Sequence, residues 1–256
     1  MHLSFRKSVT DRLLTKIRNG GMMSRNEKFN LIIQLSIPSI LAQVTTVLMF
    51  YIDAGMVGSL GAEPSAAIGL VEPATWLFFS LVSAVTMGFS VQVAHFIGAN
   101  DFAKARAVMR HGYIFGLCFA LLLLLITFLI GSRLPVWLGG GADIQHDATV
   151  YFLIFSLIIP FHLIEYMSAA MLKVSGDMRR PSSMAILMCV LDVIFNYFFI
   201  FPTRTVSLFG VEVTMPGLGE GVAGAALGSL LSFVCVALPL AYYAIFRSPI
   251  LAWKQD

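Results

Sequence analysis

The sequence predicts an all-α integral membrane protein of six transmembrane helices, and three observations carry that reading. Apolar residues make up 58% of the chain and charged residues only 12%, with a mean hydropathy of +0.84. The few charges are gathered into short segments, separated by charge-poor stretches long enough to cross a bilayer. Cationic side chains crowd into alternate segments and nearly vanish from the others. A soluble domain carries about a quarter charged residues, so this chain lacks the polar surface to cover a water-facing globule.

A helix needs about 20 apolar residues to cross a hydrocarbon core about 30 Å thick, because lipid offers its backbone no hydrogen bonds. Charge-free runs of 24 residues at 29–52, 28 at 73–100, 22 at 111–132 and 26 at 221–246 meet that length. Two further segments, about 148–174 and 182–201, are long enough but contain Glu165 and Asp192. The first span extends past Asp53 to about Val57. The six spans make one membrane unit over 31–246, preceded by a basic segment, 1–30, and followed by a short tail, 247–256. The Gly-rich connection at 202–221 is expected as an external loop. In the basic segment, Phe5, Val9, Leu13, Leu14 and Ile17 recur at near-helical spacing among Arg6, Lys7, Arg12, Lys16 and Arg18. That pattern suits an amphipathic helix on an anionic leaflet as well as a plain overhang. The first apolar run is too long for a signal-peptide core.

The connections fix the expected orientation. Of the 17 Lys and Arg, 15 fall on the side of the two termini, and only Arg133 and Arg204 lie opposite. The positive-inside rule therefore places both termini in the cytoplasm of a multi-pass protein of the cell (inner) membrane. Glu63, Asp143, Asp147, Glu212 and Glu220 gather outside. Membrane lipid is the surrounding partner, and a net charge of +3 gives no reason to expect nucleic acid. Cys118, Cys189 and Cys235 sit inside apolar runs and form neither a disulfide framework nor a metal spacing. No nucleophile, dyad or metal cluster lies at a membrane face, so the sequence does not point to an enzyme.

Ionisable groups inside a bilayer cost at least about 2.5–3.5 kcal/mol each and mark candidate sites. Asp53 lies near the outer end of the first span, where it either ends the helix or serves a site. Asp192 sits 11 residues past Pro181 in the fifth span, with Asn196 at i+4 on the same face. A carboxylate and a carboxamide stacked this way can hold a proton, a sodium ion or an ammonium group, or simply bond a neighbouring helix. His162 and Glu165 share a face of the fourth span, too few for a metal site but suited to an ion pair or a polar cavity. Glu72, beside Pro73, reads as a solvated acid at the start of the second helix. Pro38 interrupts the first span 15 residues before Asp53 and is a candidate hinge. Small residues from Gly217 to Gly228 suit close packing of the sixth helix.

Several of these stretches resemble the multidrug and toxic-compound extrusion (MATE) transporters. Pro38, the Asp-x-x-x-Val-Gly-x-Leu-Gly run from Asp53 to Gly61, and Gln92 with Ile97-Gly98-Ala99-Asn100-Asp101 resemble that family's first two helices. Leu172-Lys-Val-Ser-Gly-Asp-Met-Arg-Arg-Pro181 resembles its loop after the fourth helix. The stretches from Asp192 to Phe201 and from Gly221 to Ala226 resemble its fifth and sixth helices. The match covers about residues 27–247. The resemblance implies a twelve-helix antiporter in two six-helix lobes, exporting small cationic amphiphilic compounds by using a proton or sodium gradient, with no organic cofactor. It assigns Asp53, Asp192 and Asn196 to the cation site of the N-terminal lobe, to which Glu165 is added here as a candidate. Many relatives place asparagine before the acid on the fifth helix. The order here is reversed, which moves the carboxylate about one turn, roughly 6 Å.

A second six-helix lobe is the implied partner, since repeat-built transporters bind substrate at the repeat interface. The 256 residues are expected to be a fragment of a full transporter, or else a half-transporter pairing with itself or another chain. Asp53 and Asp192 are expected to take up a proton from outside, moving the first helix about Pro38 and releasing a bound cation. Met49, Phe50, Tyr51, Tyr197 and Phe198 offer surfaces for substrate. The rival readings are a lipid-linked oligosaccharide flippase, which calls for cationic side chains within the spans, and a transport-inactive six-helix fragment.

Overall fold

Six membrane-length spans form the bundle in a computed structural model that describes residues 13, 15, 16, 21–208 and 211–253. The elements are α1 (Arg25–Gly58), α2 (Ala62–Gly98), α3 (Phe102–Ile130), a short α4 (Leu134–Trp137), α5 (Gln145–Ser156), α6 (Ile158–Val174), α7 (Arg179–Ile200), strands β1 (Pro202–Leu208) and β2 (Val211–Leu218), and α8 (Gly221–Tyr242). A π-helical turn, Tyr243–Arg247, continues α8. Helices α1, α2, α3, α7 and α8 are each long and apolar enough to span alone, and α5 with α6 makes one span bent by 40°.

The bend has a local cause. Pro160 lies in the first turn of α6 and has no N–H to give to the carbonyl four residues back, that of Ser156, where α5 ends. The break therefore falls at Leu157, not at Glu165. Proline alone does not break a helix here, because α1 runs on through Pro38.

The two turns on the basic side share one construction. After α2, Asn100 takes the left-handed conformation (φ 60°) and Asp101 N–H bonds back to the Phe96 carbonyl. After α6, Gly176 (φ 96°) does the same, with Asp177 N–H bonding to Leu172. Each aspartate then accepts from the backbone N–H three residues on, Lys104 or Arg180, and pairs with that residue's cation. At the head of α1, Ser24 and Glu27 form a reciprocal capping box at 3.2 and 2.8 Å. This start lies inside the segment expected as 1–30. The rest of that segment's suggested amphipathic helix falls largely outside the described residues.

The main core lies among α2, α3, α5 and α6, where Val71, Phe78, Met109, Phe152, Leu163 and Met167 interlock. Leu251, from the tail after the π-turn, is fully buried in the same core, and Arg106 Nη1 donates to the Ile250 carbonyl at 3.3 Å. Helices α7 and α8 touch backbone to backbone: a side chain at Gly224 would strike the Phe199 carbonyl, and one at Gly228 would strike Asn196. The small residues read from the sequence serve this contact. By contrast α1 packs mainly on α7 and buries only Leu31, Met49 and Val57.

Two boundaries differ from expectation. The second helix begins at Ala62, ten residues before Glu72, so Glu72 lies within a helix and not at its start. The expected loop at 202–221 is an antiparallel hairpin, paired from Pro202 with Leu218 to Leu208 with Val211. Its β-branched alternation on either side of Phe209-Gly210 is the signal that glycine counting obscured.

Candidate functional site: a carboxylate pair bridged by one amide

Three side chains from two parallel helices meet in the half of the bundle away from the basic turns. Asn196 Nδ2 donates to Asp53 Oδ1 at 3.0 Å and to Asp192 Oδ2 at 2.9 Å. The amide has two N–H groups and spends one on each carboxylate. Its orientation follows from that, since a carbonyl facing two carboxylates would repel both. The Ser232 hydroxyl of α8 reaches Asp192 Oδ1 at 3.1 Å and the Ser229 carbonyl at 2.8 Å. The two carboxyl groups lie within hydrogen-bonding reach of each other.

The backbone explains why these residues meet. Ser39 on α1 lies beside Met178 at the head of α7, its Oγ 3.8 Å from the sulfur. From that level, 14 residues lead to Asp53 on one helix and 14 to Asp192 on the other, so both acids arrive at equal depth. Gly228 lets α8 approach closely enough for Ser232 to reach Asp192 and for the backbones to seal the far side of Asn196. Asp192 and Asn196 are each 1% exposed, whereas Asp53 is only partly buried. Asn196 Oδ1 is buried and bonded to nothing. Among the described residues no Lys, Arg or His forms an ion pair with either acid. The cluster is thus rich in oxygen acceptors and lacks a counter-cation.

Glu165 is not brought into this cluster. It lies on α6, accepts no hydrogen bond among the described residues, and Lys173 is the charge that acts on it. His162 packs against Phe79 and Phe233. Among the described residues no three His, Cys, Asp or Glu side chains gather as a metal site. Of the expected substrate surfaces, Met49 is buried, and the Tyr197 hydroxyl accepts from Arg204 Nε at 3.0 Å. Tyr51 is 75% exposed, and Phe50 packs on Trp76 at 5.3 Å. Three contributors were not singled out from the sequence. Ser229 and Ser232 were legible as an i, i+3 polar pair in an apolar helix. Tyr151 of α5, within electrostatic reach of Asp53, Asp192 and Glu72, carried no pattern that separates it from a core aromatic.

Six spans around a bridged pair of acids define a multi-pass membrane protein. The chain belongs to the MATE family: the family model MatE matches residues 38–198. It is 24% identical over 215 residues to "Probable multidrug resistance protein NorM" of Neisseria meningitidis, covering 83% of this chain and 44% of that protein. It is 21% identical over 228 residues to "Multidrug export protein MepA" of Staphylococcus saprophyticus, covering 89% and 47%. A solved outward-facing structure of a multidrug resistance MATE family transporter superposes with a TM-score of 0.76 at 25% identity, covering 86% of this chain and 46% of that one. The chain thus spans about half the length of the curated relatives it matches.

Proposed function

We propose that this chain is the N-terminal lobe of a secondary active antiporter that exports cationic amphiphilic compounds in exchange for protons or sodium. The observation that carries the reading is the single Asn196 amide bridging two carboxyl groups that lack a cation. Two bare carboxylates about 4 Å apart repel by about 4 kcal/mol at an effective dielectric of 20. The cluster is therefore stable with a proton or with a metal or organic cation, and least stable with neither. Ligands that exclude one another at one site are what exchange requires, and the second lobe would complete the substrate cavity. With the basic turns facing the cytoplasm, the site opens toward the outer half of the membrane.

The flippase reading has less support, because none of the Lys and Arg side chains lies deep within a span. The test is efflux of a fluorescent organic cation from cells carrying the full-length transporter. Asp53→Asn is expected to abolish gradient-driven efflux while membrane insertion is retained. Efflux at the unsubstituted rate would sink the proposal.

A further inference from the structure

Glu72 is a charged side chain within the spans that stands outside the amide-bridged pair. It lies on α2, ten residues inside the end away from the basic turns, and is exposed. Its face of α2 is nevertheless turned inward, because residues on that face make interior contacts on either side of it. One turn before, Ile68 packs against Val57, Ile200 and Ala225, from α1, α7 and α8. Two turns after, Phe79 stacks on Phe155 of α5 and on His162 of α6. A side chain exposed on an inward face lines a cavity and not the lipid surface, where a carboxylate is costly.

Two helices set aromatic rings beside this carboxylate. Trp76, one turn on, donates its indole N–H to Glu72 Oε1 at 3.3 Å, and its ring meets Phe50 of α1 at 5.3 Å with 59° between planes. Both rings keep close to half their surface open, 47% for Trp76 and 43% for Phe50. Because α1 and α2 run in opposite directions, the two rings lie at one depth, with Asp53 and Glu72 each about one turn further outward. Tyr151 marks how near the acids are, since Glu72, Asp53 and Asp192 all act on its hydroxyl. Among the described residues no Lys, Arg or His pairs with Glu72. The cleft thus offers one carboxylate, two open rings and an indole N–H already spent. A small hard cation calls for several oxygens, and an anion calls for donors. An organic ammonium calls for aromatic faces and one counter-charge.

We propose that Glu72, Trp76 and Phe50 form a seat for an aromatic quaternary ammonium cation, between α1 and α2 and beside the Asp53–Asp192–Asn196 cluster. The rings hold the apolar body of the cation and Glu72 balances its charge, which leaves the bridged acids to the proton or sodium ion. Selection is thereby divided: the rings choose an organic body, and the carboxylate chooses a positive one. The seat rests on the exchange reading for its role in transport, since it gives the exported cation a place of its own.

The experiment is quenching of Trp76 fluorescence by N-benzylpyridinium, a stacking cation, in the whole chain reconstituted in lipid nanodiscs. Trp137→Phe and Trp253→Phe leave Trp76 as the only indole of the chain. Quenching is expected to saturate, as a bound cation requires and collision does not. Glu72→Gln should raise the dissociation constant about tenfold, Phe50→Leu about fivefold, and Glu72→Asp no more than about threefold. Uncharged benzylpyridine, at mildly alkaline pH, should bind at least about tenfold more weakly, a comparison that needs no variant at Glu72 to fold. Quenching that stays linear, or that saturates alike with either ligand, overturns the seat. So does an indole that neutral acrylamide cannot reach, which would show the cleft filled by protein. Binding lost in Asp53→Asn but indifferent to Glu72→Gln would place the cation on the bridged acids and overturn it too. Saturable binding that needs Glu72, in a transporter whose efflux ignores Asp53→Asn, would keep the seat and sink the exchange reading alone.

Discussion

Asp192 and Asp53 share one amide but sit in opposite settings. Asp192 lies on α7, whose backbone is pressed against α8 at Gly224 and Gly228, and it receives bonds from Asn196 and Ser232. Asp53 lies on α1, which buries three of its 34 residues, and it receives a single bond, from Asn196. One acid belongs to a closely packed pair of helices, and the other is carried on a helix that buries few of its own residues. The two halves of the site thus differ. The Asn196–Asp53 bond is a polar tie between α1 and the rest of the bundle, whereas Asp192 is held within the α7–α8 pair.

The largest expected effect tests the closely packed half. A side chain at position 228 would strike the Asn196 Oδ1 and would also meet the Asn196 backbone N at 2.8 Å and Cα at 3.0 Å, which cannot swing aside. Gly228→Leu should therefore destabilise the lobe by about 3 kcal/mol or more, read as a lowered midpoint of unfolding in mixed micelles. An unchanged midpoint would show that the α7–α8 contact is not the fixed frame.

A smaller and sharper test compares the two acids directly. Asp192→Ala strands one Asn196 N–H in a buried setting, leaves Ser232 only its bond to the Ser229 carbonyl, and empties a fully buried side-chain site, and should cost about 1–3 kcal/mol. Asp53→Ala frees only the other Asn196 N–H and removes a carboxyl that is itself only partly buried, so it should cost less, about 1 kcal/mol, despite its expected effect on efflux. Equal losses from the two would erase the distinction between closely and loosely packed halves.

How much of this was legible follows from the kind of signal each feature leaves. Span number was readable because lipid forbids charges over long stretches, a constraint that acts on every residue of a helix. Asp192 and Asn196 were readable as an i, i+4 pair for the same reason. Their meeting with Asp53 is a matter of two helices in register, which nothing local to either helix encodes. Tyr151 was hidden because an aromatic in an apolar run looks the same whether it faces lipid, core or site. Glu165 was misplaced for the converse reason: intramembrane charge marks a residue as costly, yet it does not say which neighbours the fold supplies. Pro38 and Pro160 looked alike in sequence, but only Pro160 lies at a break, where its missing N–H coincides with the end of α5.

The turn after α6 provides the next test, since it fixes the head of the closely packed half. Asp177 caps Arg180 N–H at 3.2 Å and pairs with its guanidinium, which lies 4.1 Å over the Tyr243 ring. One aspartate thereby ties the start of α7 to the end of α8. Asp177→Ala should cost about 1 kcal/mol, the ordinary loss of a helix cap, and should loosen the π-turn. Hydrogen exchange confined to the α7 head, with none at 243–247, would show that the Arg180–Tyr243 contact transmits nothing.

The smallest effect concerns the start of α1, on the basic side. Lys16 Nζ lies 2.8 Å from both Glu27 carboxylate oxygens, and the Ser24 N–H donates to the same group at 2.8 Å. The Lys16 bond, followed by that from Ser24, holds the Glu27 carboxyl below its ordinary range. A group lowered in the folded state contributes fully above its ordinary titration range, and that contribution fades as pH falls through the lowered value. Exchange at the Glu27 and Lys28 amides, corrected for intrinsic rate, should therefore accelerate only on strong acidification and not between neutral pH and mild acid. Because the pair is exposed, added salt should mimic part of the loss at neutral pH. Glu27→Gln should remove the pH dependence. If exchange there is already fast at neutral pH and unaffected by that change, α1 is loose along its whole length, and Asn196 alone ties it to the site.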